Sequence, residues 1–235
     1  MRIVVSIFLW TIGFLYFGMC CIIVIILAFF FSTETIDPLI KKMLRFLFFI
    51  LFIPVESEGA EKIILEKTYL FMSNHVSIFD VPLLQGYIPK FVRGIEANHQ
   101  FKWPFYGWVI KRLGNIPIER ENIYASIRSI HKAEHFLRNG RSIVILPEAH
   151  RTLDGKMRSF KKLPFYLAKQ ACVDIVPIGL SGLFHVKQKG SWIIRPAPIK
   201  IKFGDSISVN NVCALSVAEL RDLTKRKIQE LIERP

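Results

Sequence analysis

Cysteine is scarce in this sequence, and its spacing matches no paired motif. The four cysteines among 235 residues are Cys20 and Cys21, which lie in an apolar run, and Cys172 and Cys213, which stand alone. Without a Cys-x-x-Cys spacing, the pattern excludes a disulfide framework and a cysteine-ligated zinc site. It favours a reducing compartment, where disulfides are rare.

Charge is absent from Ile3 to Phe31, where Ile, Val, Leu and Phe dominate. About 20 apolar residues suffice for a helix to cross a bilayer, and this run is longer. A cleavable signal peptide has a shorter apolar core followed by a small-residue cleavage site, which is missing here. The sequence therefore predicts a membrane-anchoring helix over residues 3–31.

A second, shorter apolar stretch covers residues 46–55 and follows three basic residues. It is too short to span a bilayer on its own, so residues 41–55 are predicted to form an interfacial segment with its basic side chains among lipid head groups. The two segments could also form a helical hairpin in one leaflet, and the sequence leaves both arrangements open. Together they make residues 1–56 the predicted membrane anchor.

Acidic residues are outnumbered, with 19 Asp and Glu against 32 Lys and Arg and a net charge of +13. Arg2 is the only charged residue among the first 31, so nearly all of this charge belongs to the rest of the chain. A basic body behind an anchor favours attraction to an anionic leaflet or to phosphate-bearing substrates. A generally basic proteome and nucleic-acid binding are the alternatives. Basic residues just after the anchor favour the cytoplasmic face.

Beyond Ser57, short apolar runs alternate with helical patterns, as is typical of an α/β domain. The expected fold is a mixed, largely parallel sheet flanked by helices, behind the anchoring helix or hairpin. Residues 57–235 are predicted to form one domain. The candidate strands are residues 62–65, 69–73, 91–95, 114–118, 142–146, 175–179, 192–194 and 199–203. The candidate helices are residues 80–84, 104–113, 123–138, 164–171 and 217–232.

A histidine and a carboxylate stand five positions apart in Asn74-His-Val-Ser-Ile-Phe-Asp80, a polar break after an apolar run. Histidine moves protons well near neutral pH, and a carboxylate can fix its tautomer and stabilise its charged form. Five positions on one helix would leave the side chains about 140° apart, so the pair meets only if His75 lies on a loop and Asp80 opens a helix. The alternative is a turn in which Asp80 only caps that helix.

A second stretch, Gly114-Asn-Ile-Pro-Ile-Glu-Arg120, is a short predicted strand that leads into an arginine. The arginine fork can form two hydrogen bonds to one phosphate. Taken alone, Arg120 is as well explained by solvation or by pairing with its neighbour Glu119.

A third stretch, Leu146-Pro-Glu-Ala-His-Arg-Thr152, follows directly on the predicted strand 142–146. Ligands of parallel α/β sheets bind at the C-terminal ends of the strands, which makes this polar cluster a candidate site. Lys161 and Lys162 come soon after and could add to a phosphate pocket. A solvated loop that begins with a turn-forming proline is the alternative.

In this order behind an N-terminal anchor, the three stretches resemble the lysophosphatidate acyltransferase family of glycerolipid acyltransferases. The family's first block, Asn-His-x4-Asp, is matched in full by residues 74–80, and its second, a Gly-x-Ile-x-Ile-x-Arg-like strand, by residues 114–120. Its Val-Pro-Ile block is matched by residues 176–178. The resemblance covers roughly residues 66–185 and identifies residues 57–235 as an acyltransferase catalytic domain.

The third block departs from the family pattern. Phe-Pro-Glu-Gly-Thr-Arg-Ser is usual, against the residues found at 146–152, and a following Phe-Lys-x-Gly element meets Phe-Lys-Lys-Leu at 160–163. Ala149 and Leu163 thus replace glycines, which matters if the backbone there needs a positive φ. His150 adds a bulky titratable group, which bears on the identity of the acceptor more than on the reaction type.

The resemblance implies that His75 acts as general base on an acceptor hydroxyl while Asp80 orients its imidazole. The activated oxygen would attack the thioester of acyl-CoA or an acyl-carrier protein, without an acyl-enzyme intermediate, a metal or another cofactor. Acylation at the sn-2 hydroxyl of 1-acyl-sn-glycerol 3-phosphate would give phosphatidate.

The residues implied by the resemblance to hold the acceptor head are Arg120, Glu148, Arg151 and Lys161, with Asn74 and His150 as modulators. The implied partners are the bilayer, a lysophospholipid and the acyl donor but no nucleic acid, at the cytoplasmic face of a cell inner membrane.

Other chemistries stay open as alternatives. His131-Lys-Ala-Glu-His135 fits the His-x-x-Glu-His pattern of one class of zinc peptidases and would put two imidazoles on one helix face. Gly179-Leu-Ser-Gly182 lacks the Gly-x-Ser-x-Gly elbow of a serine hydrolase. A non-enzymatic, membrane-tethered lipid-binding protein would use the basic surface. Among acyltransferases, glycerol 3-phosphate or another lysophospholipid could be the acceptor.

Overall fold

A single mixed sheet organises the chain in the computed structural model, which describes residues 2–119 and 121–233 without the side chain of Ile123. The strands are β1 (Val55–Glu58), β2 (Tyr69–Ser73), β3 (Arg93–Ala97), β4 (Ile116–Ile118), β5 (Ile143–Ile145), β6 (Asp174–Ser181) and β7 (Ile199–Phe203). Within these described residues they form a seven-stranded sheet in the order β1-β7-β6-β2-β5-β3-β4. Neighbouring strands are parallel except β6 and β7, which are antiparallel. The expected mixed, largely parallel sheet is confirmed.

Helices cover both faces of the sheet because the side chains of a strand alternate between its faces. They are α1 (Arg2–Phe30), α2 (Thr33–Ile50), α3 (Asp80–Tyr87), α4 (Tyr106–Arg112), α5 (Ile123–Arg138), α6 (Leu163–Ala171), α7 (Leu183–Val186), α8 (Val209–Ala214) and α9 (Val217–Glu233), with 3₁₀ turns at Ala60–Lys62 and Asn98–Lys102. In β2, Tyr69 and Phe71 pack in a core with residues of α1, α2 and α3. Leu70 and Met72 face the opposite core, which α5, α6, α8 and α9 cover.

Two expected strands are wrong. In the predicted strand 62–65, Lys62 ends the 3₁₀ turn at Ala60–Lys62 and Ile63 caps it. The predicted strand at residues 192–194 instead forms hydrogen bonds with a helix. The indole nitrogen of Trp10 donates to the carbonyl oxygen of Trp192 at 2.8 Å, and the backbone N–H of Ile194 donates to Ser6 Oγ at 3.1 Å. The sequence alone could not indicate these partners, because they lie more than 180 residues away in the chain.

Most of the short segment predicted at residues 41–55, up to residue 50, belongs to a longer helix. Helix α2 begins at Thr33, where Ser32 caps it by accepting a hydrogen bond from the N–H of Thr35, and runs to Ile50. Its buried face includes Ile36 and Ile40, which precede the apolar run and share the helical spacing of the later buried residues. Strand β1 starts at Val55, so the expected boundary at residue 56 falls inside a strand.

Helix α1 lies along the folded domain rather than projecting from it. Among the residues that the structure describes, it is the one helix long and apolar enough to cross a membrane. Near its start, Ser6 bonds the backbone of Ile194, and near its end the Arg112 guanidinium donates to the carbonyl oxygen of Ala28 at 2.8 Å. These contacts are ~33 Å apart along the helix at 1.5 Å per residue. Both ends of the helix therefore contact the same domain.

Two cysteines that are far apart in the sequence are neighbours in the fold. Cys172 follows α6 and Cys213 lies in α8, with their sulfur atoms 3.9 Å apart. Both are exposed free thiols. The contact arises because α8 packs against α6, which no local spacing could indicate.

Candidate active site

The candidate site lies where three parallel strands end. The loop after β2 carries His75, the loop after β5 carries Glu148 and Arg151, and β6 ends beside the loop after β2. Hydrogen bonds join the loops, because the N–H of Thr152 donates to the carbonyl oxygen of His75 at 3.0 Å. This is the edge of a parallel sheet at which ligands bind.

His75 and Asp80 meet in the geometry that the sequence predicts. His75 lies on the loop, Asp80 is the first residue of α3, and His75 Nδ1 is 2.7 Å from Asp80 Oδ2. The same carboxylate oxygen accepts the N–H groups of Val76 at 2.6 Å and Ser77 at 2.9 Å. Asp80 is completely buried and His75 is 8% exposed. The carboxylate thus fixes both the loop and the imidazole, and Nε2 is left for a substrate.

Asn74 connects this loop to the neighbouring strand. Its side-chain nitrogen donates to the carbonyl oxygen of Leu180 at 2.9 Å, and its Oδ1 accepts the Leu180 N–H at 2.8 Å. An amide side chain is needed because one group must both donate and accept. Asn74 therefore holds the loop in place through the backbone of β6.

Glu148 accepts backbone hydrogen bonds through both of its carboxylate oxygens and so holds the loop that carries His75, and its contact with the head of an acceptor stays a prediction. One carboxylate oxygen accepts the N–H of His75 and the other accepts the N–H of Arg158, each at 2.7 Å. The side chain is buried, and burial raises the pKa of Glu148 against the lowering effect of these two hydrogen bonds. A carboxylate here would also repel a phosphate. Its place is to fix the backbone of His75.

The remaining predicted phosphate ligands differ in position. Arg151 is half-buried and makes no hydrogen bond or ion pair with the described residues, so its guanidinium is available to a ligand. Lys161 is exposed, and its backbone N–H donates to the carbonyl oxygen of Pro147 at 2.9 Å. His150 is half-buried beside Arg151. Arg120 lies outside the described residues.

The alanine that replaces the family's glycine sits in a strained conformation. Ala149 has a φ of 63°, in the left-handed region that costs a residue with a Cβ roughly 1–2 kcal/mol. A glycine would adopt this φ freely. Leu163, the second replacement, begins α6 and has no positive φ.

A buried serine of this loop contacts a residue that the sequence interpretation missed, Lys187. Ser77 is fully buried, and its hydroxyl donates to the carbonyl oxygen of Lys187 at 2.8 Å. Lys187 follows the short helix α7, beyond the end of β6. The one local signal for Lys187 was its position shortly after a strand whose C-terminal end reaches the site.

An apolar cavity of about 220 Å³ opens beside the catalytic loop, between α1, α2, α3 and α4. The catalytic segment lines it through Ile78, Phe79 and Pro82, and α1 contributes Gly13 and Phe17. The polar side chains in the wall include Glu96 and Asn115, which hydrogen-bond each other. This space suits a hydrocarbon chain better than a polar group.

The structure gives no support to a zinc site at the His-x-x-Glu-His stretch 131–135. In the described part of the chain, no group of three or more His, Cys, Asp or Glu side chains is placed to hold a metal ion. His131 is exposed on α5 with its Nδ1 3.6 Å from Glu134.

Comparisons with known proteins agree on one family. A family model described as Acyltransferase matches residues 54–181. The chain is 30% identical over 160 residues to a 1-acyl-sn-glycerol-3-phosphate acyltransferase of Limnanthes alba, covering 68% of this chain and 56% of that protein. It is 31% identical over 168 residues to the protein of the same name from Cocos nucifera, covering 71% and 54%. The chain thus spans a little more than half the length of these curated relatives.

A solved structure resembles the whole chain. It is the crystal structure of the 1-acyl-sn-glycerophosphate acyltransferase from Thermotoga maritima, with a TM-score of 0.86 and 25% sequence identity. The alignment covers 100% of this chain and 97% of that one. The likeness therefore includes α1 and α2 as well as the sheet.

Proposed function

Because the chain belongs to the Acyltransferase family, we propose that it transfers a fatty acyl group from a thioester to the sn-2 hydroxyl of 1-acyl-sn-glycerol 3-phosphate. The observation that carries this proposal is the 2.7 Å contact between His75 and Asp80 beside an apolar cavity. The product is phosphatidate, so the enzyme serves phospholipid biosynthesis. Relatives that cover much of this chain carry the name of this activity.

His75 is the general base of the proposed reaction. Its Nε2 takes the proton of the acceptor hydroxyl as the oxygen attacks the thioester carbonyl carbon, while Asp80 stabilises the imidazolium through Nδ1. The tetrahedral intermediate then expels the thiolate, which receives the proton from His75. The acyl group passes directly to the acceptor, so no acyl-enzyme forms. Base catalysis of this kind contributes about 10²–10⁴-fold, and positioning of the two reactants adds to it.

In this proposal, the cavity binds a hydrocarbon chain and Arg151 binds the phosphate of the acceptor. A hydrocarbon chain in the cavity removes apolar surface from water, which contributes about 25 cal/mol per Å². The Arg151 guanidinium, which lacks a protein partner among the described residues, receives the acceptor's phosphate. The sequence pattern adds Arg120 and the exposed Lys161 as further phosphate ligands. Acyl-CoA or an acyl-carrier protein supplies the thioester, and the chemistry needs no metal.

The enzyme takes its lipid substrate from the membrane on which it lies. Helix α1 exposes large apolar side chains such as Leu15, Phe29 and Phe30, which favours contact with lipid. Because both ends of α1 contact the catalytic domain, we place α1 and α2 in one leaflet rather than across the bilayer. The basic body faces anionic head groups, on the cytoplasmic face of the inner membrane.

Substitution of His75 by alanine tests the proposed function. We expect the transfer rate to fall at least ~10²-fold, the lower end of general-base contributions, while flotation with phospholipid vesicles persists. The matched control is His131→Ala, an exposed histidine on α5, which should keep full activity. Unchanged turnover in His75→Ala would overturn the mechanism, and stoichiometric zinc in the purified protein would favour the metal alternative.

A panel of substrates identifies the acceptor and the donor. Lysophosphatidate, glycerol 3-phosphate and a lysophosphatidylcholine are each assayed with acyl-CoA and with acyl-carrier protein. We expect lysophosphatidate to be the preferred acceptor. Faster acylation of either other acceptor would replace the substrate proposed here and leave the acyltransfer chemistry intact.

A further inference from the structure

Lys187 is a buried lysine that has no acidic partner among the residues that the structure describes. Its residue is 7% exposed, and its ammonium donates one hydrogen bond, to the carbonyl oxygen of Gln188 at 2.8 Å. Within the described residues no carboxylate lies within ion-pair distance of it. Lysines are rarely buried unless they are paired, because an unpaired ammonium loses its hydration. The site therefore has positive charge that the protein itself does not neutralise.

This lysine belongs to the wall of the catalytic site. The carbonyl oxygen of Lys187 accepts the hydroxyl of Ser77, which lies two residues after His75. Its ammonium also lies 5.7 Å from the centre of the Trp10 ring of α1, a cation–π distance. Lys187 is thus held between the catalytic loop and α1, the helix that lines the apolar cavity.

A second cation, Arg151, acts electrostatically on Lys187. Burial lowers the pKa of Lys187, and the charge of Arg151 lowers it further. Two like charges repel each other in a site of low polarity, so their proximity costs free energy in the empty enzyme. A bound dianion would convert this repulsion into two attractive interactions. Phosphate is the group in the proposed reaction with that charge.

We propose that Lys187 is a phosphate-binding residue that acts with Arg151 on a substrate at the catalytic loop. The inference rests on the proposed function for the substrate's identity and on the contacts above for the site. The phosphate is either the monoester of the acceptor or a phosphate of the acyl donor. The acceptor's phosphate would lie near the hydroxyl whose proton His75 takes, whereas a donor phosphate is separated from the thioester by the pantetheine arm.

Lys187→Met separates phosphate binding from a structural role. Methionine has an unbranched side chain of nearly the same length as lysine but carries no charge. We expect the KM for lysophosphatidate to rise at least tenfold with kcat changed less than threefold, while Lys187→Arg retains most of the affinity. The midpoint of thermal unfolding should not fall, since the variant no longer buries an unpaired charge. Lys189→Met, two residues further on, is the matched control and should behave as the wild type.

Two comparisons assign the phosphate to its source. A monoacylglycerol acceptor lacks the phosphate, so Lys187→Met should not slow its acylation if the lysine binds the acceptor. A rise in the KM for acyl-CoA instead of the acceptor would assign Lys187 to the donor. Equal losses with phosphorylated and unphosphorylated acceptors, an unchanged donor KM and a lower unfolding midpoint would overturn the proposal in favour of a structural lysine.

A binding measurement keeps this inference separate from the proposed function. Inorganic phosphate, compared with chloride at equal ionic strength, should raise the unfolding midpoint of the wild type and of Lys189→Met but not of Lys187→Met. If the wild type fails to acylate any acceptor yet shows this shift, the proposed function fails and the phosphate site stands. If phosphate stabilises Lys187→Met as much as the wild type, the site is disproved.

Discussion

At the scale of single residues, Glu148 shows how a carboxylate next to basic residues can hold the protein backbone. Its two oxygens bind the N–H groups of His75 and Arg158, so the loop after β5 fixes the position of the histidine. The sequence placed Glu148 beside Arg151 and suggested a shared ligand. The backbone contacts could not be predicted, because a sequence shows which charges are near one another but not which of them face the backbone.

We expect Glu148→Gln to lower kcat more than it raises the KM for the acceptor. A glutamine presents one acceptor oxygen and one NH2 group, so one of the two N–H groups loses its partner at a cost of about 1–3 kcal/mol. The loss should displace His75 and reduce kcat by roughly 10-fold or more, as 1.4 kcal/mol corresponds to tenfold in rate. Steady-state kinetics with lysophosphatidate measures both constants.

The control for this substitution is Glu66→Gln, the same change at an exposed carboxylate, which should leave both constants unchanged. A large rise in KM with kcat intact would instead return Glu148 to the acceptor's head group, as the sequence suggested.

Glu148 also gives a pH dependence of stability whose sign follows from its burial. Burial raises the pKa of Glu148, so the folded protein holds this proton more tightly than the unfolded chain does. Its contribution to the free energy of unfolding is fully present below the ordinary glutamate pKa of about 4.3 and is lost as the pH rises through the folded pKa. We expect the unfolding midpoint of the wild type, relative to Glu148→Gln, to decrease as the pH is raised from about 4 to 7. A relative increase over that interval would show that the carboxylate's hydrogen bonds dominate its burial.

At the scale of elements, local patterns were a good guide where a strand pairs with another strand or a helix packs on the sheet. The short apolar run of β2 and the helical spacing of α5 indicate their places in the fold. The expected strand at residues 192–194 is wrong because its hydrogen bonds go to Ser6 and Trp10 of α1. Such pairing depends on distant parts of the chain. The loop position of His75 could be inferred because helix geometry excludes the other arrangement.

The apolar cavity could not be predicted, since its walls come from four helices that are far apart in the sequence. Each helix shows only that one face is apolar. The space between them follows from how α1 and α2 cross α3 and α4. Sequence patterns show which side chains are buried but not where packing leaves a gap.

A glycine in α1 allows a direct test of the cavity as the acyl-chain site. Gly13 lines the cavity, and a Cβ built there would meet Leu51 at 3.4 Å. We expect Gly13→Phe to fill part of the space, so that activity with 16- to 18-carbon donors or acceptors falls relative to shorter chains. Competition assays with mixed chain lengths give this ratio directly.

Gly18→Phe is the matched control, since it makes the same change in the same helix where a Cβ would meet nothing within 4 Å. It should leave the chain-length preference of the wild type unchanged. An equal shift in both variants would mean that bulk on α1 disturbs the membrane contact rather than the cavity.

At the scale of the whole molecule, the anchor and the catalytic domain form one packed unit. Leu9 of α1 and Phe48 of α2 lie in the same buried cluster as Phe71 of β2. A helix that crossed the bilayer would have to release the contacts of one of its ends, at Ser6 or at Ala28. Large apolar side chains on the outer face of α1 and a net charge of +13 then suit a protein that lies on an anionic membrane. On such a membrane, the loop that carries His75 and the cavity would lie next to the lipid.

The arrangement in one leaflet predicts that the start of α1 and the catalytic domain are on the same side of the membrane. Single cysteines at Arg2 and at Lys156, both exposed, are introduced into a Cys172→Ser, Cys213→Ser background, since the remaining Cys20 and Cys21 are buried. A membrane-impermeant maleimide should label both positions in inside-out vesicles and neither in spheroplasts. Labelling of Arg2→Cys in spheroplasts only, with Lys156→Cys labelled in vesicles, would show that α1 spans the bilayer. Labelling of both in spheroplasts would keep the single-leaflet arrangement but place the domain on the opposite face, because the packing of α1 against the domain fixes their relative side and not the leaflet.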